Sequence, residues 1–305
     1  MVYQKTIQKK VTVEGIGLHT GKPASITFKP APEGTGVYII RKDISGLPAL
    51  KAQSRNVRAT QMATVLGSDL FMVSTVEHCM AAVAALQIDN LYIELSGPEL
   101  PIGDGSAHCF FMALQEAGVH EYESFRQYIY VTNPIYFSQG DKYAYVLPHN
   151  SFRLSCSIEF SHPKIGKQKI ELDVNPYSFE RELSHARTFG FLKDVEALQV
   201  RGLALGGSLD NAVVLDSHDV LNPGGLRYPD EFVRHKAMDA IGDMLMLGYP
   251  IIGHVVLHKA GHDVMHGFVE KVTSSVDSYR LIELAQPLSY TSSNSDHLSL
   301  APRFA

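Results

Sequence analysis

Residues 230–243 read Asp230-Glu-Phe-Val-Arg-His235-Lys-Ala-Met-Asp239-Ala-Ile-Gly-Asp243, and an apolar run from Ile251 to His258 follows Gly248 and Pro250. The apolar positions Phe232, Val233, Ala237, Ile241, Met244 and Leu245 recur at helical spacing, which predicts a long helix from about Asp230. Val255-Val-Leu between Gly253 and Gly261 predicts a strand that ends in a turn, with a last helix beyond it. Upstream, Tyr143 to Leu147, Leu154 to Phe160 and Gln168 to Val174 read as strands. The first half repeats the order. Strand-like runs at Ser25–Phe28 and Val37–Ile40 are separated by Gly34 and Gly36. A helix starts near Ser74, a strand covers Leu91–Leu95, and a second helix runs from the Gly103-Asp-Gly-Ser turn to about Ala117. The strand pattern restarts at Tyr128-Ile-Tyr-Val131. Both halves therefore read strands, helix, strand, helix, and the fold class is α/β of the α+β kind, with hairpin-spaced strands packed on helices. The expected division is 1–125, 126–280 and a tail, 281–305, whose Ser-rich stretch from Gln286 reads as a disordered end.

The chain has 305 residues, 45% hydrophobic and 19% charged, enough to bury roughly three quarters of its unfolded surface. Its net charge of −5 and the lack of any basic stripe exclude nucleic acid as a partner. The N-terminus carries no signal-peptide pattern, and Asp239, Asp243, Gly248, Pro250 and His254 interrupt the most apolar segment, Ala237 to Val256. A cytoplasmic protein without an integral membrane segment is expected. The cysteines Cys79, Cys109 and Cys156 stand far apart and read as reduced, packed thiols.

Fourteen histidines make a search for metal or acid–base chemistry worthwhile. On the 230–243 helix, His235, Asp239 and Asp243 are four apart and form one stripe among apolar neighbours. Such groups are costly to bury unless paired or metal-bound, and His at i with Asp at i+4 can give two ligands to one zinc. The spacing alone carries no weight in so His-rich a chain; the apolar surroundings do. Ser74-Thr-Val-Glu-His78 is open to two readings: Ser74 with Glu77 matches a capping box, while Glu77-His78 could be a carboxylate beside a metal ligand. The ladder His254, His258, His262, His266 is split between strand and helix, leaving His262 just past a strand's C-terminal end, where α/β sites commonly sit. Thr188 lies between basic and aromatic residues and could face a ligand, and Gly206-Gly207-Ser208 could bring backbone near one. No Walker A pattern and no Gly-x-Ser-x-Gly elbow occurs.

Taken in order, Gly15-Ile-Gly-Leu-His-Thr-Gly21, Ser74–His78, Ile88-Asp-Asn90, Pro101–Ser106, Ala186–Phe191, Asp230–Asp243 and Lys259-Ala-Gly-His262 span most of the chain. With these segments the chain resembles the zinc-dependent UDP-3-O-acyl-N-acetylglucosamine deacetylases of lipid A biosynthesis. The resemblance implies two similar domains, each a mixed sheet with helices, the helices packed between the sheets. It implies a zinc site (iron(II) as the alternative) of His78, His235 and Asp239, with Glu77 as general base, His262 oriented by Asp243 as the acid, and Thr188 at the oxyanion. Lys142, Glu159, Phe160, Lys236 and Lys259 match positions near nucleotide and sugar. An acyl passage maps onto an insert near 190–214, with Phe189, Phe191, Gly207 and Ser208. The implied substrate is a UDP-linked acylated amino sugar, handled by a monomer. Two positions depart from the family pattern: Glu159 stands for Asp, and Met265 for Asn. The rivals are a zinc hydrolase of another N-acyl compound and a non-catalytic sugar-nucleotide-binding protein.

Overall fold

The computed structural model describes residues 1–287. Its sheets follow the alternation of the sequence. In the strand Val37–Arg41 buried and half-buried residues alternate, and Leu91–Leu95 does the same, so each strand turns one face to the core. These two run parallel at the heart of a five-stranded sheet in the order Val11–Ile16, Pro23–Pro30, Leu91–Leu95, Val37–Arg41, Leu50–Lys51. All its other pairings are antiparallel.

The later half builds a seven-stranded sheet around Ile251–His258. That strand pairs antiparallel with Lys142–Leu147 and parallel with both Gln127–Val131 and Phe152–Phe160. Ile135–Gln139, Gly166–Asp173 and Tyr279–Glu283 complete the sheet. The stretch 281–305, expected as a tail, thus begins inside a paired strand. The Ser-rich part of that stretch, from 288 onward, lies outside the described residues.

Among the described residues six α-helices accompany the sheets: α1 (Glu77–Ala85), α2 (His108–Ala117), α3 (Pro176–Glu182), α4 (Leu192–Val200), α5 (Glu231–Met244) and α6 (His262–Ser274). α2 packs on the first sheet and α5 and α6 on the second, while α1 packs directly on α2 and α5 and shares the first sheet's core. One continuous core joins Phe28, Ile39 and Ile93 of the first sheet through Met80, Val83 and Ile241 to Leu154 and Val255 of the second. The fold is the α+β arrangement expected, with helices between two sheets. None of the helices of the described residues is long and apolar enough to cross a membrane.

The α1–α5 contact is unusually close. A Cβ on Gly242 would lie 2.0 Å from the carbonyl oxygen of Glu77, so only glycine allows this approach. Away from the helices, the loop at 204–207 is clamped to the 17–21 hairpin. Leu205 N and Gly206 N donate to His19 O and Leu18 O, and a Cβ on Gly206 would sit 2.2 Å from Gly17 O.

Candidate metal centre

α1 and α5 bring the two halves' candidate residues face to face. The capping box expected at Ser74 does not form. Ser74 pairs instead with the 98–100 segment, its N–H donating to Pro98 O and its carbonyl accepting from Leu100 N. The helix begins after Val76 without a side-chain cap. Glu77 is therefore free to turn its carboxylate away from its own helix, and Oε2 accepts from Thr64 N at 3.0 Å. Just before it, Thr75 holds φ at +58°, a strained value for a β-branched residue, with its hydroxyl against buried Glu99.

His78, His235 and Asp239 are all buried and offer ligand atoms within 4.8 Å of one another. The imidazoles meet edge-on with ring centroids 5.1 Å apart. Asp239 Oδ2 lies 3.3 Å from His235 Nε2 and 2.9 Å from Lys236 Nζ. Its other oxygen, Oδ1, faces His78 Nε2 at 3.4 Å, too long for a good hydrogen bond. Among the described residues Asp239 Oδ1 and His78 Nδ1 are buried without a hydrogen-bond partner, an expensive state that a bound cation would relieve at the carboxylate. Two imidazoles and one carboxylate suit zinc and leave it an open position. Burial pushes the His235 imidazole down to about 3, so it stands neutral and ligand-ready. Burial alone would raise the Asp239 carboxyl, yet the positive charges beside it, the Lys236 ammonium at 2.9 Å among them, hold it well below the usual range.

Beside this cluster His262 opens α6. Its Nδ1 donates to Asp243 Oδ2 at 2.7 Å, and its Nε2 is 3.8 Å from Glu77 Oε1 and 4.0 Å from Asp239 Oδ2. Burial and the positive end of a helix both disfavour an imidazolium there. The Asp243 and Glu77 carboxylates outweigh them and lift His262 to about 9. Burial raises the Glu77 carboxyl, with His262 and His78 opposing. A raised carboxylate and a cationic imidazole 3.8 Å apart, both beside a metal-ligand cluster, form an acid–base pair.

The other expected residues gather around this centre in different ways. Phe189 packs edge-on against Phe232 at 5.0 Å and His235 at 6.2 Å, and Phe160 meets Phe189 and Phe191 at 5.7 and 6.2 Å. Lys236 Nζ sits 5.6 Å over the Phe189 ring. Thr188 is placed by its backbone, N–H to Gly105 O and carbonyl to Val213 N; its hydroxyl has no partner among the described residues. Lys259, Glu159 and Lys142 form a half-exposed charged group at the end of the strand Ile251–His258. There Lys259 bridges Glu159 and Asp141, each at 3.0 Å, Glu159 also pairs with Lys167, and Lys142 is 4.0 Å from Asp263. Met265 is buried in α6. Gly207 and Ser208 lie in the loop clamped to the 17–21 hairpin, and none of their contacts reaches the histidines.

Sequence reading missed Thr64. Its hydroxyl donates to Asp243 Oδ1 at 2.6 Å and lies 3.2 Å from His262 Nδ1, while its N–H holds Glu77. A cavity of about 870 Å³ lies away from the centre, near the C-terminal ends of α1 and α5 and against the 123–128 linker.

Residues 4–274 match the family model described as UDP-3-O-acyl N-acetylglycosamine deacetylase. A protein of Bdellovibrio bacteriovorus named UDP-3-O-acyl-N-acetylglucosamine deacetylase is 57% identical over 95% of this chain and 96% of its own length. Proteins of the same name from Myxococcus xanthus and Syntrophotalea carbinolica are 47% and 46% identical, covering 92% and 96% of the chain and 89% and 94% of their own lengths.

Proposed function

The chain belongs to the UDP-3-O-acyl N-acetylglycosamine deacetylase family, and on that premise we propose that it hydrolyses the N-acetyl group of UDP-3-O-(3-hydroxyacyl)-N-acetylglucosamine, releasing acetate in lipid A biosynthesis. The observation that carries this reading is the buried His78–His235–Asp239 cluster with Glu77 and His262, 3.8 Å from each other, beside it. The cluster draws on both expected divisions, 1–125 and 126–280, so each supplies donors to one centre.

His78, His235 and Asp239 would hold the metal, zinc in our reading with iron(II) as the alternative. When bound, such an ion supplies Lewis-acid polarisation and lowers the pKa of water. Glu77, with Oε2 fixed by Thr64 N, takes the proton of the attacking water. Thr188, whose hydroxyl has no partner among the described residues, donates toward the oxygen on which negative charge develops. The C–N bond then breaks. His262, kept cationic by Asp243, gives its Nε2 proton to the departing amine, so the products are acetate and the free amino sugar. Lys236, Lys259, Lys142, Glu159 and Phe160 serve the nucleotide and sugar. Phe189, Phe191, Gly207 and Ser208 border the acyl chain. We place the enzyme in the cytoplasm as a monomer.

The test is acetate release from this substrate with metal content measured on the same sample, before chelation, after it, and after zinc is restored. Activity that tracks about one metal per chain supports the proposal. Bound metal without turnover moves the assignment to another N-acyl substrate, and no metal with no turnover removes the hydrolase reading.

A further inference from the structure

Glu231 is the first residue of α5, one helical turn before His235, and it is fully buried. Its Oε1 accepts from Arg187 N at 2.9 Å and Arg187 Nε at 2.8 Å, while Oε2 accepts from Arg187 Nη2 at 3.1 Å and Arg227 N at 2.7 Å. The residue before Arg187 completes the pattern. Ala186 O accepts from His235 Nδ1 at 3.1 Å. The peptide group between Ala186 and Arg187 is thus held at both ends by one helix, its N–H by Glu231 and its C=O by His235. Positions four apart on a helix face the same way, so one flat peptide can span them.

The consequence falls on His235. A carbonyl oxygen can only accept, so the imidazole proton must sit on Nδ1, and Nε2 is left with its lone pair toward Asp239 Oδ2. The same peptide leads directly into Thr188, whose hydroxyl has no partner among the described residues. We propose that Glu231 is a positioning residue. Through the Ala186–Arg187 peptide it fixes the tautomer and ring orientation of His235 for metal binding. The inference rests on the deacetylase reading for the role of His235, and goes beyond it by assigning the work to a carboxylate that touches neither metal nor substrate.

A buried Arg–Glu pair could equally be fold glue, so the test separates the peptide clamp from the ion pair. Two double variants both remove the guanidinium: Arg187→Met with Glu231→Gln, and Arg187→Met with Glu231→Leu. The amide oxygen of the first still accepts the peptide N–H; the second has no acceptor. Neither leaves a buried unpaired charge. Zinc affinity is measured by competition with a chelator, alongside thermal midpoints. At similar midpoints, the Gln pair should bind within about threefold of the unmodified enzyme, and the Leu pair about 10- to 100-fold more weakly, the usual loss for groups that orient a metal ligand. Equal affinities for the two pairs would overturn the clamp. Should the Leu pair not fold, Glu231→Asp keeps the charge but withdraws it one methylene from the peptide. Weaker zinc binding then supports the clamp, and unmodified affinity overturns it. An unmodified enzyme that binds no zinc would instead sink the deacetylase reading itself.

Discussion

His254 and His262 stand on consecutive elements, and each has a hydroxyl and a carboxylate beside it, yet they titrate in opposite directions. Burial lowers His254, and Arg153 and His149 add to the effect against Glu171. His262 is raised to about 9 although it is more deeply buried. The geometry explains the contrast. Ser155 Oγ sits between His254 Nε2 at 2.9 Å and Glu171 Oε2 at 2.7 Å, and the Arg153 guanidinium claims the same carboxylate. Asp243 touches His262 directly, with Thr64 Oγ1 donating to its other oxygen, and among the described residues no guanidinium bonds to it. A carboxylate raises a histidine when it is adjacent and not already neutralised; residue types alone do not decide it.

The strongest way to break this comparison is at the other carboxylate facing His262. Glu77→Ala should cut turnover by about 10²–10⁴, the usual worth of a positioned general base, while metal content stays near that of the unmodified enzyme. Metal-free protein would mean that Glu77 builds the centre and does not serve it. Next in size, Asp243→Asn should cost about tenfold or more in turnover and move the basic limb of the pH–rate profile to lower pH. The sign follows from the cause: His262 must be protonated to act, Asp243 holds it up near 9, and without that charge it loses its proton at lower pH. A limb that does not move would take His262 out of the acid role. Thr64→Val removes the hydroxyl but keeps the N–H to Glu77, so a smaller loss is expected, about threefold to tenfold in kcat with KM little changed, as for one modest hydrogen bond.

The smallest effect belongs to the outer site. Burial would raise Glu171, but its bonds from Arg153 and Ser155 bring it down to about 2. Its contribution to stability is therefore present above the ordinary range near 4.5 and is lost as pH falls through about 2. A third of the side chain is exposed, so the contribution is under about 1 kcal/mol. Glu171→Gln should leave deacetylation unaltered and flatten acid-side melting between these limits. A clear loss of activity would show that the outer histidine is coupled to the centre after all.

The fold was legible wherever burial imposed a period. The strand Ile251–His258 and the helices after Asp230 and Gly261 stand where apolar spacing put them. The stripe His235, Asp239, Asp243 was legible for the same reason, because charged groups on an apolar face advertise a cost that must be met. Pairing His78 with that stripe needed the family resemblance, since no local pattern joins residues so far apart. Thr64 was invisible. Nothing in Thr60-Gln-Met-Ala-Thr64 is periodic, and its role comes from contacts that the chain closes only by folding, one of them 179 residues away. The Ser74 cap failed for a related reason: a pattern suited to a helix start was overridden by pairing with the 98–100 segment.

The glycine at 242 has a consequence beyond packing. It is a ruler one hydrogen atom long, set between the helix that carries Glu77 and His78 and the helix that carries His235, Asp239 and Asp243. Lengthening it by a methyl group, as in Gly242→Ala, would shift every distance across the seam at once, leaving each half's own geometry intact. Substitutions elsewhere can be repaired where they occur; this one could be repaired only by moving half the molecule.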